Sequence, residues 1–571
     1  MLTFDVLVIG SGGAGMRAAL EAGRQADLSV GLMTKMFPTR SATGMAQGGI
    51  NGALKNTDPT DTLEKHFFDT VKGSDYLGDQ DAIEFFVDQA PEAILEVDYF
   101  GVPFSRNADG KIAQRNFGGQ SSPRTCFSAD KTGHVLLHTM YEQCLKHKVK
   151  ILSDWQLLDL VVENDELRGV VALDVRHGEI VPVLAKAVVI ATGGAGRMYW
   201  LRTTNPFTST GDGMAAAFRA GIPLKDAEMI QFHPTGLAST GILMSEAVRG
   251  EGGYLRNKDG ERFMQRYAPE KMELATRDVV AKAIEDEIKA GRGFGGDGMG
   301  AYVVVDVMHL DKSVITEKLH GVRDLAIAFE RVDPLEAPIP IRPTCHYTMG
   351  GIDVIDYRTA ATAVTGVFAA GEASCVSIHG ANRLGGNSLA DIMVFGRIAG
   401  RGASDCARQR SFGGEVKLQE TARDWQRRFG EVTARREGST VAQLRDRMAA
   451  TMWYKVGIFR NASDLAAASN EIDSLIGEYR QNCVVGDSSK LFNTAFVNYI
   501  ELGNLLAMAK AVILGASNRT ESRGCHLRDD YPKRDDEHFL KHSIIKLGST
   551  GYELSWRPVT VTKYAPAERR Y

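Results

Sequence analysis

Residues 4–15, FDVLVIGSGGAG, constrain the fold of this chain more than any other stretch. A short apolar run rich in β-branched residues ends in Gly10, Gly12, Gly13, Ala14 and Gly15, and the helical pattern MRAALEAGRQ begins there. This is GxGxxG between a strand and a helix. It serves a tight turn, close approach of backbone to a pyrophosphate, and close helix packing. The helix N-terminus then turns its positive dipole end towards the phosphates. The bare pattern carries little: Gly293, Gly295 and Gly298 spell it too, but they follow the charged stretch AIEDEIKAGRG and read as a loop without a ligand.

The next strand, LSVGLMTK, ends in Thr34 and Lys35, not in the acid often used to hold an adenosine ribose. Two later apolar runs, Ala187–Gly194 (AVVIATGG) and Thr365–Glu372 (TGVFAAGE), also end in glycine-containing turns. Each alone reads better as plain core. Three in one chain, the first in full context, predict an α/β fold of Rossmann type gripping one long cofactor, FAD in preference to NAD. His379–Asp391, HGANRLGGNSLAD, places Arg383 beside that flavin. A guanidinium with five donors suits a substrate carrying carboxylates.

At 571 residues the chain exceeds one compact core, so several domains are expected. A net charge of −4 gives no basic face for nucleic acid. Seven cysteines without CxxC spacing read as reduced thiols, with no metal or iron–sulfur site. The first residues lead straight into a strand without an export signal, so no export is expected. No apolar run reads as approaching the roughly 20 residues a membrane span needs, so any membrane association is expected through a partner. On that reading the sequon at Asn461–Ser463 is discounted, and His66, His138, His147 and His309 receive no role.

Further segments occur in a telling order: FPTRSATGMAQGG (37–49), GGQSSPRTCFSADKT (118–132), HPTG (233–236), SEAVRGEGG (245–253), RDVV (277–280), PTCHYTMGG (343–351), HGANRLGGNSL and ESRGCH (521–526). Together they resemble the flavoprotein subunit of succinate dehydrogenase and fumarate reductase across nearly the whole chain. The resemblance implies an FAD-binding domain (1–228 and 346–404) interrupted by an α+β capping domain (229–345). A helical domain (405–520) and a small C-terminal segment (521–571) follow. Residues 417–450 alternate in charge like solvated helices, and 504–517 read as a buried helix.

The resemblance also assigns roles. His233, Ser245, His346 and Arg383 would hold the dicarboxylate. Arg277 would transfer the proton, refilled through Glu246 and Arg249, which sit three apart on one helical face; a surface ion pair is the competing reading of those two. Arginine resists deprotonation, so Arg277 needs such a relay. Gly10, Gly12, Gly13, Ala14, Gly15, Thr34, Lys35, Ser41, Ala42, Thr43, Gln47, Gly48, Gly49, Asp212, Glu372, Ser388 and Leu389 would contact FAD. For Asp212 a turn role competes, and for Glu372 a helix cap.

One position departs from the family. Where most members read TRSHT, with the histidine joined covalently to the flavin, this chain has Ala42. The expectation is FAD bound without a covalent bond, and a tilt towards fumarate reduction, since the link is thought to raise the flavin potential. Electrons would leave through an iron–sulfur subunit and membrane anchor subunits, placing the chain peripherally on the cytoplasmic side of the membrane. A self-contained L-aspartate oxidase or soluble fumarate reductase, and a non-enzymatic flavin scaffold, are the alternatives.

Overall fold

A seven-stranded sheet lies at the centre of the computed structural model, which describes residues 1–296 and 300–569. Gly298 of the second GxGxxG match falls outside the described residues. Strands Lys150–Ser153, Val30–Thr34, Leu2–Ile9 and Glu179–Ile190 follow one another in parallel. Strand Glu179–Ile190 then has two partners along its far edge. Its first half pairs antiparallel with Glu166–Asp174, which pairs in turn with Trp155–Glu163. Its last residues, Val188–Ile190, pair in parallel with Val367–Ala369. The inner parallel strands, Val30–Thr34, the end of Leu2–Ile9 and the end of Glu179–Ile190, are buried on both faces, which explains their apolar runs.

Helices Gly13–Gly23 and Asn387–Gln409 pack together beside this sheet. Gly396 and Gly400 permit the approach: a Cβ there would lie 2.7 Å from the Ala14 carbonyl oxygen and 2.5 Å from that of Ala18. The contact therefore brings two helix N-termini to the same end of the sheet.

A second unit is inserted between strands Ile230–Leu237 and Ile339–Thr348. These two strands continue into Val303–Asp306 and Tyr254–Arg256 as a four-stranded antiparallel sheet. Helix Arg277–Lys289 packs on it over a separate core that includes Leu237, Val280, Ile284, Val303 and Ile341. The expected boundaries at 345/346 and 404/405 fall inside continuous elements, Ile339–Thr348 and Asn387–Gln409.

Helices Val416–Ala434, Val441–Val456, Ala462–Asn482 and Thr494–Asn518 follow. The last corrects the reading that no run approaches spanning length: it has an 18-residue window of mean hydropathy 1.4. Glu501, Asn504 and Lys510 interrupt it and hid it from inspection. That window is 67% buried inside the protein, as a core helix is. Beyond it, the hairpin of Lys541–Gly548 and Gly551–Pro558 joins Leu224–Lys225 and completes a five-stranded sheet with Gly351–Asp353 and Ser374–Cys375.

Candidate active site

The turn after the first strand opens a cleft that runs between the two helix N-termini and reaches the inserted unit. Gly10 sits at φ +104°, and a Cβ at Gly15 would lie 1.8 Å from the Gly10 carbonyl oxygen. Gly15 therefore packs helix against strand and does not face the cleft, whereas Gly10, Gly12, Gly13 and Ala14 line it. The cleft wall also takes in Thr34, Lys35, Ser41, Ala42, Thr43, Gln47, Gly48, Gly49, Asp212, Glu372, Ser388 and Leu389. Residues separated by more than 350 positions thus meet on one surface.

Several of these side chains hold one another. The Thr34 hydroxyl pairs with that of Ser11 at 2.7 Å. Lys35 Nζ lies 2.7 Å from Asp212 and 2.6 Å from Glu501, and donates to the Thr210 hydroxyl. Burial would lower this ammonium, but the two carboxylates outweigh it and raise its pKa. Asp212 begins helix Asp212–Arg219, so its turn position and its place on the cleft are both real. Glu372 accepts from the Thr348 N–H at 3.0 Å, and burial pushes its carboxyl up to about 7.

The cleft fits an extended dinucleotide. Two helices of 11 and 23 residues end there with their positive poles. Ser41 Oγ and Gln47 Oε1 are buried without a hydrogen-bond partner among the described residues. Ala42, in the short turn Ala42–Met45, brings no nucleophile. His66, on helix Leu63–Gly73, is fully buried, bonds Asn387 Oδ1 at 3.0 Å and is pushed down to about 3 by burial and by Arg124. It is not on the cleft wall.

At the end of the cleft nearest the inserted unit, Arg277, His346 and Arg383 share the wall. Arg383 lies in the loop before helix Asn387–Gln409. His379 and Asp391, the ends of its motif, pair at 3.3 Å and close that loop. The Arg383 guanidinium stands 4.4 Å from the centre of the Tyr347 ring. Burial pulls its pKa to about 10, still charged at neutral pH, and its Nε has no partner among the described residues.

His233 and His346 lie on adjacent strands with ring centres 4.9 Å apart. Burial and then Arg277 push both well below the usual imidazole range, so both are neutral. The Thr235 backbone N–H donates to His233 Nδ1 at 3.2 Å. That fixes the proton on Nε2 and makes it a donor. His346 is on the wall and His233 packs against it, while Ser245, Glu246 and Arg249 are not among the wall residues. Ser245 Oγ accepts from the Ala247 N–H at 3.2 Å, just before the short helix Ala247–Gly250.

Arg277 Nε and Nη2 both donate to Glu246 Oε2, at 3.0 and 2.9 Å. Arg249 Nη2 lies 3.3 Å from Glu246 Oε1. The alternative of a surface ion pair fails, because Arg249 and Glu246 have side-chain exposures of 0% and 10%. Burial alone would raise the Glu246 carboxyl, but the guanidiniums of Arg277 and Arg249 outweigh it and hold it below its ordinary range.

Sequence reasoning missed Gln231. Its Oε1 accepts from Arg277 Nη1 and from Arg383 Nη2, each at 3.2 Å. Its Nε2 donates to Asn382 Oδ1 and to the Arg383 carbonyl, each at 2.9 Å. One buried amide thus ties the Arg277 guanidinium to that of Arg383. Its place two residues before His233 on one strand was the only signal. Thr204, whose hydroxyl pairs with His346 Nδ1 at 2.7 Å, was also missed.

Known proteins resemble this chain over nearly its whole length. Residues 5–389 match the FAD binding domain family, and residues 445–571 match the fumarate reductase flavoprotein C-terminal family. The chain is 50% identical to the 8-methylmenaquinol:fumarate reductase flavoprotein subunit of Wolinella succinogenes, over 99% of this chain and 92% of that one. It is 44% identical to the succinate dehydrogenase flavoprotein subunit of Rickettsia conorii, over 98% and 96%. A solved mutant of the E. coli quinol fumarate reductase superposes with a TM-score of 0.95 at 38% identity, covering 100% of this chain and 99% of that one. The family models, the identities over the full length and the shared architecture agree: the chain belongs to the succinate dehydrogenase and fumarate reductase flavoprotein family.

Proposed function

We propose that this chain is the catalytic flavoprotein subunit that interconverts succinate and fumarate, working towards fumarate reduction. One observation carries the reading. Around the end of the cleft, three guanidiniums (Arg249, Arg277, Arg383) face one ionised carboxylate, Glu246, while His233 and His346 are neutral. Among these groups the balance is two positive charges, offset only in part by Glu372, whose carboxyl is pushed up to about 7, and a dicarboxylate brings two negative ones. The Glu273–Arg262 pair behind them is neutral as a unit.

FAD, when bound, supplies or accepts the hydride. Arg383 grips one carboxylate of the substrate with its fork, and the neutral histidines donate to the substrate without adding charge. Drawing electron density into that carboxylate makes the adjacent double bond a better hydride acceptor. Arg277 gives a proton from a guanidinium nitrogen to the neighbouring carbon. Glu246, in contact with Arg277 Nε and Nη2, is ionised at rest, so it first takes a proton from Arg249 beside it and then passes that proton to the neutralised Arg277, and Arg249 is refilled from solvent. This order resolves the difficulty that an isolated arginine does not deprotonate.

FAD is held without a covalent bond, because Ala42 offers no attacking atom at the position where most relatives carry histidine. Lys35, the glycine turn and Gln47 are the proposed holding groups. Electrons reach quinone through an iron–sulfur subunit and membrane anchor subunits, and the chain sits peripherally on the cytoplasmic face. The test is purification of the complex in mild detergent, identification of the co-purifying chains, and assay in both directions. A lone chain active with soluble donors refutes the complex, and flavin-loaded complex inert to both dicarboxylates refutes the reaction. Acid precipitation tests the flavin bond: colour remaining with the pellet refutes the non-covalent reading.

A further inference from the structure

The segment that follows strand Gly551–Pro558 runs back across the FAD-binding unit and reaches the inserted unit. Its path is fixed by Gln80, a fully buried residue at the start of helix Gln80–Tyr99. Gln80 Oε1 accepts from the backbone N–H groups of Thr562, Lys563 and Tyr564 at 2.8–3.0 Å, and Gln80 Nε2 donates to the Tyr564 carbonyl at 2.7 Å. The Tyr564 ring packs on Phe67 and Phe68, and its hydroxyl donates to Glu64. Five residues later, Arg569 makes two ion pairs. Its Nε lies 3.2 Å from Asp75 Oδ1, beyond helix Leu63–Gly73 of the FAD-binding unit. Its Nη2 lies 2.7 Å from Asp278 Oδ2, in the first turn of helix Arg277–Lys289 of the inserted unit.

Asp75 and Asp278 are both buried, and among the described residues Arg569 is the arginine that pairs with Asp278. Asp278 is adjacent to Arg277, whose guanidinium meets Gln231 and Glu246 within 3.2 Å. A shift of the helix start by 1 Å therefore breaks the geometry at the proton donor. We propose that residues 560–569 are a strap that holds the inserted unit closed on the FAD-binding unit, and that Arg569 is a positioning residue for Arg277. This rests on the proposed role of Arg277 in fumarate reduction.

The strap is exchangeable by construction. Arg569 stands at a surface cavity shared with Asp75, Arg534, Asp536 and Glu568, so water reaches its pair with Asp75, whereas Asp278 is not on that cavity. Arg534 also pairs with Asp75, at 2.8 Å, and keeps that carboxylate neutralised when Arg569 is removed. The bond to Asp278 is then the one whose loss is felt, and it lies on the side of the chemistry.

The test uses the intact complex, with the variants Arg569→Gln, Asp278→Asn, the double variant and Arg569→Lys. Fumarate reduction with a reduced viologen dye gives kcat and KM, and the flavin-to-protein ratio is measured alongside. The strap predicts that Arg569→Gln and Asp278→Asn each lower kcat/KM about tenfold with flavin retained, because the closed form is a smaller fraction of the molecules. The double variant should lose no more than either single one, since both cut the same link. Arg569→Lys should recover at least half of kcat, and a purely scaffolding role would not give this pattern. Kinetics of Arg569→Gln within twofold of the unaltered complex overturn the strap, as do losses that multiply in the double variant. If the unaltered complex itself does not reduce fumarate, the proposed reaction is what has failed.

Discussion

Replacing Gln231 with leucine removes one acceptor from between two guanidiniums while keeping the side chain's bulk. Two charge-assisted hydrogen bonds, from Arg277 Nη1 and Arg383 Nη2, vanish together. Bonds to charged groups contribute about 1.5–3 kcal/mol each. Both arginines keep other partners or the Tyr347 face, so they stay in place but swing more widely. Only the part felt more strongly in the transition state than in the ground state alters turnover. We take this as about 2–3 kcal/mol, a loss of roughly 30- to 160-fold in kcat/KM for fumarate. The assay is dye-linked fumarate reduction on flavin-loaded complex, with thermal denaturation to confirm folding. Gln231→Glu is the companion: it keeps an acceptor for both arginines but lowers the positive excess from two charges to one, and should raise KM about tenfold at little cost in kcat. Activity of the leucine variant within twofold of the unaltered protein would refute the view that one amide sets both arginines. Unchanged KM in the glutamate variant would refute the charge count.

Three other outcomes follow from the same geometry. Arg277→Lys should lower kcat at least ~100-fold, the usual scale of a lost proton donor, with the flavin spectrum intact; near-normal turnover would sink the relay. Gly15→Ala should abolish flavin retention, because its Cβ would meet the Gly10 carbonyl oxygen at 1.8 Å, and the flavin-to-protein ratio reads this directly. His542 is buried between Asp226 and Asp79, at 2.6 and 3.2 Å; burial opposes its charge, but the carboxylates raise its pKa to about 9. A folded pKa above the unfolded one gives stability that is complete below about pH 6.5 and lost as pH rises through about 9. The shared interaction is worth about 3 kcal/mol. The midpoint of thermal unfolding should therefore fall between these pH values, and His542→Gln should flatten that dependence.

Local chemistry made the FAD-binding frame legible. The turn at Gly10–Gly15 needs its residue types whatever surrounds it, and the strands ending at Ile190 and Ala369 also run into small residues at the cleft. Arg383 was legible because its motif is contiguous: His379 and Asp391 close the loop that carries it. Gln231 was not, since an amide in an apolar strand gives no periodic signal and its partners come from residues 277 and 383. The strap was invisible for the same reason, as Gln80 and Tyr564 lie 484 positions apart. Residues 504–517 read as a buried helix, but the full length of helix Thr494–Asn518 is not legible because polar residues such as Glu501 and Asn504 break its apolar run. Propensity and patterning report on neighbours in sequence, whereas these features come from pairings that only the folded chain creates.

The divided far edge of strand Glu179–Ile190 has a consequence for synthesis. Its terminal residues wait for Val367–Ala369, which follow the whole inserted unit in the chain. A ribosome-bound chain that has emerged only to residue 350 has its glycine turn and most of its sheet, but neither the last parallel strand nor the Arg383 loop. Flavin capture is therefore a late event that follows folding of the inserted unit, and N-terminal fragments ending before residue 367 should emerge colourless.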